Sequence, residues 1–181
     1  MPTFVEKFTN PVAMLAADHE YVKQVMETAL RTHSPSTRRL LVEEICDNLV
    51  IHSMLEEELF YPALERDAGE EGRQFVQKAR EAHQEIKARM ADVENTHVGS
   101  PDFRMRLGEL QSAVLAHARE EEGIFPLAER RLPLGELARD MDLRRVQLMA
   151  KIRPPSGLFL VGLALIGVGL AFFFGRRAVS R

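Results

Sequence analysis

Hydrophobic residues recur at three- and four-residue intervals through residues 11–130, which is the periodicity of a helix with one buried face. The first stretch carries Leu15, Val22 and Met26, and three further stretches repeat the pattern. None of them alternates with the two-residue period of a half-buried β-strand. The pattern therefore predicts four amphipathic helices of about 20 residues each.

Capping residues, prolines and glycines indicate where these helices begin and end. Asn10-Pro11 and Ser100-Pro101 each place a capping side chain before a proline at the first helical position. We expect Pro62 to end or kink the second helix, residues 67–72 to form a loop, and Pro126 to lie at the end of the fourth helix. Similar lengths and short connections predict an all-α, antiparallel up-down four-helix bundle.

The C-terminal region has a different composition. Residues 157–174 contain no charged side chain, whereas Arg153 and the pair Arg176-Arg177 lie on either side of them. A helix of this length spans about 27 Å, close to the hydrocarbon thickness of a bilayer. We therefore expect one transmembrane helix over residues 157–175, in contact with membrane lipid, whose glycines would permit a homodimer.

These features divide the chain into four predicted regions. They are the helical bundle (1–132), an amphipathic linker (133–156), the transmembrane helix (157–175) and a short basic tail (176–181). The N-terminus lacks the apolar stretch of a secretory signal, so we expect a single-pass membrane protein with a C-terminal anchor and its bundle facing the cytoplasm. A net charge of −3 gives no electrostatic reason to expect a nucleic-acid partner.

Four histidines form a repeat within the predicted bundle. His19 and His52 are 33 residues apart, and His83 and His117 are 34 residues apart. The second histidine of each pair is followed, four residues later, by a glutamate on the same helix face: Glu56 after His52, and Glu121 after His117.

These polar side chains lie on apolar helix faces, and burying imidazoles and carboxylates costs free energy unless each has a binding partner. Divalent iron, manganese or zinc would be such a partner, because each binds imidazole and carboxylate ligands. Six ligands are too many for a single tetrahedral site and suit two ions, with the glutamates able to bridge them. Two carboxylates leave positive charge over, so a bridging hydroxide or oxide is expected.

The chain resembles the hemerythrin-like family, also called the HHE cation-binding domain, over roughly residues 12–129. The resemblance rests on four motifs: Asp18-His19, His52 with Glu56 and Phe60-Tyr61-Pro62, Glu81-Ala82-His83, and His117 with Glu121 and Phe125-Pro126. It implies a non-haem centre of two irons inside a four-helix bundle, and the metal ligands that it implies are His19, His52, Glu56, His83, His117 and Glu121.

Two positions depart from the oxygen-carrying members of that family. Those members have a second histidine one turn after the first on the third helix, where this chain has Lys87. They also place the last acid five residues after its histidine, which would be Glu122, whereas Glu121 repeats the spacing of His52 and Glu56. Without a ligand at Lys87, one metal would have room for water or an oxidant, which argues against reversible oxygen carriage.

Three functions follow from these features. The first is a membrane-tethered protein that binds or senses oxygen, nitric oxide or related oxidants through its two irons. The second is an enzyme that decomposes hydrogen peroxide, and the third is a structural or interaction module that the metals only hold together.

The sequence does not identify residues that would hydrogen-bond to the predicted metal ligands. Asp18 is expected to point away from the site, Glu57 to lie on a solvated face, and Tyr61 to lie off the ligand face.

Overall fold

The computed structural model describes residues 10–152, and every regular element among them is helical. The elements are α1 (Pro11–Arg31), α2 (Pro35–Leu55), a π-helical turn (Glu56–Phe60), α3 (Tyr61–Asp67), α4 (Gly69–Asn95), α5 (Pro101–Arg131) and α6 (Leu134–Ile152). Helix α2, the π turn and α3 continue one another with helical backbone angles at both junctions. Short connections make successive long helices neighbours, so the prediction of an all-α bundle is confirmed.

Three helices begin in the same way, with a capping side chain followed by proline. The side chains of Asn10, Ser34 and Ser100 accept hydrogen bonds from backbone N–H groups of the first turn. Proline at the next position has no N–H to leave unpaired, which is why it is tolerated there. The polar ends of these helices are thus satisfied locally, and the apolar faces remain for packing.

The second helix does not end at Pro62, where the sequence predicted either an end or a kink. The backbone N–H of Tyr61 bonds to the carbonyl of Glu56, five residues earlier, and this wider turn precedes Pro62. A proline inside an α-helix clashes with the carbonyl four residues before it, and the π turn accommodates the ring without ending the helix. Likewise, α5 runs through Pro126 to Arg131.

Residues 67–72 do not form the predicted loop. Only Ala68 separates α3 from α4, and the chain reverses at Gly69, whose φ is 69°. Gly72 lies inside α4 against the end of α3, where a Cβ atom would stand 2.6 Å from the carbonyl oxygen of Leu64. The glycines therefore serve a tight turn and a close backbone contact.

Apolar side chains form two clusters, one towards each end of the bundle. One cluster includes Leu15, Leu55 and Phe60, and the other includes Met26, Ile45 and Leu107. The buried imidazoles and carboxylates lie at the middle of the bundle, and they are His52, Glu56, His83, His117 and Glu121. The core is thus interrupted by a layer of imidazoles and carboxylates.

Helix α6 occupies most of the region that the sequence suggested to be a linker. It packs against α1, α2 and the π turn, and buries Leu137, Ala138, Met141 and Leu148. Its opposite face exposes Leu143, Val146 and Met149. The helix is therefore amphipathic and is part of the packed structure.

The prediction of membrane localisation is corrected by the structure. No helix within residues 10–152 is long and apolar enough to cross a bilayer. The stretch that suggested a transmembrane helix, residues 157–175, lies outside the described residues. The expected single-pass anchor and cytoplasm-facing orientation therefore have no support in the described part of the chain.

Candidate metal centre

Four long helical segments bring the six predicted site residues to one level of the bundle. His19 comes from α1, His83 from α4, and His117 with Glu121 from α5. His52 lies in the last turn of α2, and Glu56 begins the π turn, one helical turn later. Because residues four apart share a helix face, each His–Glu pair points into the core together.

The side chains meet in two groups that share one glutamate. In the first group, the Nε2 atom of His19 lies 3.2 Å from Nε2 of His52 and 3.1 Å from Oε2 of Glu121. Oε1 of Glu56 lies 3.1 Å from Nε2 of His52. In the second group, Nε2 of His83 lies 3.1 Å from Nε2 of His117 and 3.2 Å from the other oxygen of Glu56. In each group the donor atoms lie within 4.8 Å of one another.

Neither glutamate has solvent to stabilise its charge. Glu56 and Glu121 are both 0% exposed. Within residues 10–152, the two oxygens of Glu56 and Oε1 of Glu121 make no hydrogen bond of normal geometry. Burial, together with the nearby charge of Glu56, raises the pKa of Glu121 well above its ordinary value. Two carboxylates in such an environment require a positive partner.

The donor chemistry fits divalent metal ions at this position. Burial lowers the pKa of His117 to about 4, so its imidazole is neutral at pH 7 and its ring nitrogen can bind a metal. Neutral imidazole with carboxylate suits iron, manganese and zinc. The two groups offer sets of four and three ligand residues, with Glu56 common to both.

Around the inner layer of six predicted ligands, an outer layer of three carboxylates contacts the Nδ1 atoms of three histidines. The Nδ1 atom of His19 is 3.2 Å from Glu122, that of His52 is 3.2 Å from Asp18, and that of His83 is 2.8 Å from Glu57. An acceptor on Nδ1 fixes the tautomer that leaves Nε2 free to bind a metal. The structure thus places Glu121 in the inner layer and Glu122 in the outer one.

The expectations for Asp18 and Glu57 were wrong because they considered only neighbours on the same helix. Asp18 points away from His19, but it reaches His52 across the contact between α1 and α2. Burial opposes ionisation of Asp18, but hydrogen bonds from His52 and Arg145 hold its pKa below the ordinary value. Glu57 reaches His83 and also accepts a hydrogen bond from Lys87 at 3.0 Å.

Tyr61 is a site residue that the sequence did not indicate. Its hydroxyl lies 3.2 Å from Nε2 of His83, and its side chain is fully buried. Burial raises its pKa, so the phenol is protonated at neutral pH. The preceding π turn shifts the helix register and brings Tyr61 towards the face of Glu56. The sequence offered two signals, which were Pro62 inside a helical pattern and the place of Tyr61 in the Phe60-Tyr61-Pro62 motif.

A cavity of about 490 Å³ opens beside both groups. The four histidines His19, His52, His83 and His117 line it at one side, and Lys87 and Lys151 also reach it. Its remaining walls are mainly apolar. The arrangement gives a small molecule a route from solvent to the buried histidines.

A helical bundle with converging histidines and glutamates in its core has the arrangement of the metal-binding helical bundles. The profile of the Hemerythrin HHE cation binding domain matches residues 10–128, and the chain belongs to this family. The resemblance inferred from the motifs is therefore confirmed. Membership implies that the domain binds metal cations.

Two further similarities agree with this assignment. The chain is 26% identical over 116 residues to an uncharacterised hemerythrin-like protein of Schizosaccharomyces pombe, a match that covers 64% of this chain and 57% of that relative. The chain thus spans a little over half of the relative's length. A crystal structure of a hemerythrin HHE cation-binding domain-containing protein from Mycobacterium kansasii has the same fold, with a TM-score of 0.68 and 23% identity. This match covers 80% of this chain and 90% of that one.

Proposed function

We propose that this protein holds two iron ions in the bundle core and uses them to bind or sense oxygen, nitric oxide or a related oxidant. The observation that supports this function best is the position of Glu56. Its two oxygens face different histidine groups, and neither makes a hydrogen bond of normal geometry among the described residues. A carboxylate in this position is suited to bridge two cations.

The two groups divide the proposed ligands between the ions. His19, His52, Glu121 and one oxygen of Glu56 would hold the first ion, and His83, His117 and the other oxygen of Glu56 would hold the second. Manganese and zinc accept the same donors, so the choice of iron rests on the family. Bound as a pair, irons would supply the one-electron chemistry that oxygen and nitric oxide require and that zinc lacks.

Access to the second group supports a small-molecule ligand. The cavity reaches histidines of both groups, and among the described residues the second group offers only three ligand residues. The position that carries a second histidine in oxygen carriers is Lys87 in this chain. Its amine donates a hydrogen bond to Glu57, and the position offers no imidazole ligand. An open coordination position is the usual mark of a reactive site as opposed to a purely structural one.

Metal content and absorption spectra of the full chain test the proposal. After anaerobic loading with ferrous iron, we expect a pair of irons per chain and a change in the visible spectrum on adding oxygen or nitric oxide. The His52→Ala, His117→Ala double variant should lose both. His33→Ala removes an exposed loop histidine and should behave like the wild type.

The other outcomes separate the competing functions. If no metal binds in stoichiometric amount, the proposed centre does not exist. If metal binds and raises the melting temperature, but neither gas changes the spectrum, the ions serve only to hold the bundle together.

A second candidate function is the decomposition of hydrogen peroxide to water and oxygen. Tyr61 favours it, because this reaction moves protons and the Tyr61 hydroxyl holds one next to Nε2 of His83. Two peroxide molecules balance to two waters and one oxygen, so no outside reductant is needed. Oxygen evolution by the iron-loaded wild type should fall at least about tenfold in Tyr61→Phe. Equal rates in the two proteins, or no evolution in either, would refute this role.

A further inference from the structure

We infer that Arg145 on α6 is a positioning residue for the metal centre, acting through Asp18 on the ligand His52. This inference rests on the proposed function, because it assigns a role to a residue that supports a proposed ligand. Arg145 lies beyond residue 128, where the match to the family ends. It therefore adds to the site an element that the family profile does not include.

The contacts form a continuous chain from α6 to the core. The guanidinium of Arg145 binds both carboxylate oxygens of Asp18, at 2.9 Å to Oδ1 and 2.5 Å to Oδ2. Oδ2 of Asp18 lies 3.2 Å from Nδ1 of His52. The opposite ring nitrogen of His52 points to Glu56 and to His19. A two-pronged arginine contact fixes both the position and the rotation of a carboxylate.

Without Arg145, nothing else in the described contacts of Asp18 would hold it in place against His52. The Asp18 side chain is 21% exposed and so has water within reach. Rotation towards solvent would remove the acceptor that keeps the proton of His52 on Nδ1. Its Nε2 atom would then be free to bind a metal for a smaller fraction of the time.

Helix α6 itself is held in place independently of this contact. Met141 and Leu148 are almost completely buried against the bundle. The neighbouring Arg144 makes a second two-pronged ion pair, with Glu58 at 2.6 and 3.0 Å. Glu58 is partly exposed, and within residues 10–152 no hydrogen bond or ion pair joins it to a site histidine, so this pair docks the same helix without reaching the centre. It provides a matched control for the removal of Arg145.

Cobalt binding to the metal-stripped full chain tests the inference. Cobalt(II) takes the same donors as iron and zinc, and its ligand-field absorption reports the geometry around the ion. We expect Arg145→Gln to bind one of two cobalt ions about tenfold more weakly or worse, as measured by competition with a chelator, and to change the absorption bands of that ion. Arg144→Gln should match the wild type, and Arg145→Lys, which keeps the charge, should fall between.

The double variant with Asp18→Ala separates a relay from two independent effects. If Arg145 acts through Asp18, the pair of substitutions should weaken binding no more than Asp18→Ala alone. If the losses of affinity of the two single variants multiply in the double variant, the inference is overturned. An unchanged affinity in Arg145→Gln, or an equal loss in Arg144→Gln, would also overturn it. A wild type that binds no cobalt would instead overturn the proposed function, and this inference with it.

Discussion

Replacing Glu121 by glutamine should stabilise the metal-free protein and weaken its stabilisation by metal. The side chain is 0% exposed, and its Oε1 atom makes no hydrogen bond of normal geometry among residues 10–152. In the absence of metal, it shares its surroundings with the second buried carboxylate, that of Glu56. Glutamine preserves the shape of the side chain but brings no charge into the core.

The sign of the effect follows from proton linkage. The pKa of Glu121 in the folded protein is raised well above its ordinary value of 4.5. The folded state therefore favours the protonated carboxyl more strongly than the unfolded state does, and Glu121 opposes folding of the metal-free protein. The folded state keeps a proton that the unfolded state loses, so this group lowers the stability as pH rises above about 4.5. We expect the variant to gain about 1–3 kcal/mol when metal-free.

With metal present, the same substitution should act in the opposite direction. An amide is a weaker ligand than a carboxylate, and we expect a loss of affinity of about 10- to 100-fold. At a fixed excess of metal, this removes about 1.4–2.7 kcal/mol of the stabilisation that binding provides.

Urea unfolding at pH 7, followed by helical circular dichroism, measures both effects. Each protein is unfolded once with a chelator and once with excess zinc, which is redox-inert. Glu120→Gln is the matched control, because it removes the same charge from the exposed neighbouring position of α5. The reasoning fails if Glu121→Gln destabilises the metal-free protein relative to Glu120→Gln, or if zinc stabilises Glu121→Gln as much as the wild type.

Three further predictions concern the bundle. Gly72→Ala should lower the free energy of unfolding by about 1–3 kcal/mol, because its Cβ would clash with the Leu64 carbonyl, whereas Gly108→Ala meets open space and should not destabilise; urea unfolding of both decides. Burial raises the pKa of Cys46 to about 12, so iodoacetamide at pH 8 should label it only after unfolding, and rapid labelling of the native protein would contradict this. Arg38→Met should cost about 2 kcal/mol in thermal unfolding, since buried Arg38 donates to the backbone carbonyls of Ala29, Thr32 and Val98, and an unchanged melting temperature would refute this.

The inner layer of the site could be predicted because its His–Glu pairs lie within single helix turns, where sequence spacing alone relates the two residues. The step from His52 to Glu56 lies within one helix turn and repeats from His117 to Glu121, so spacing alone indicates a common face. Periodicity likewise predicted the long helices. The helix ends at prolines were less predictable, because a π turn before Pro62 lets the chain continue where a regular helix would break.

The outer layer could not be predicted because it depends on contacts between helices. Asp18 and His52 are 34 positions apart, and Asp18 and Arg145 are 127 apart. No periodicity relates residues on separate helices, and which of them meet depends on the rotation of each helix about its axis. The contact of Tyr61 with His83 could not be predicted for a different reason. It depends on the π turn, which changes the helix register, and residue propensities do not indicate such a turn.

The π turn at Glu56–Phe60 also bears on how related sequences should be aligned. A π turn contains one residue more than an α-helical turn of the same chain path. A relative with a regular helix at this point would need one residue fewer to keep both its upstream histidine and its downstream tyrosine facing the centre. Alignments that force these two positions into an ungapped block would pair the wrong residues on one side. A single-residue gap between Glu56 and Tyr61 would therefore record an insertion that carries a phenol into the site.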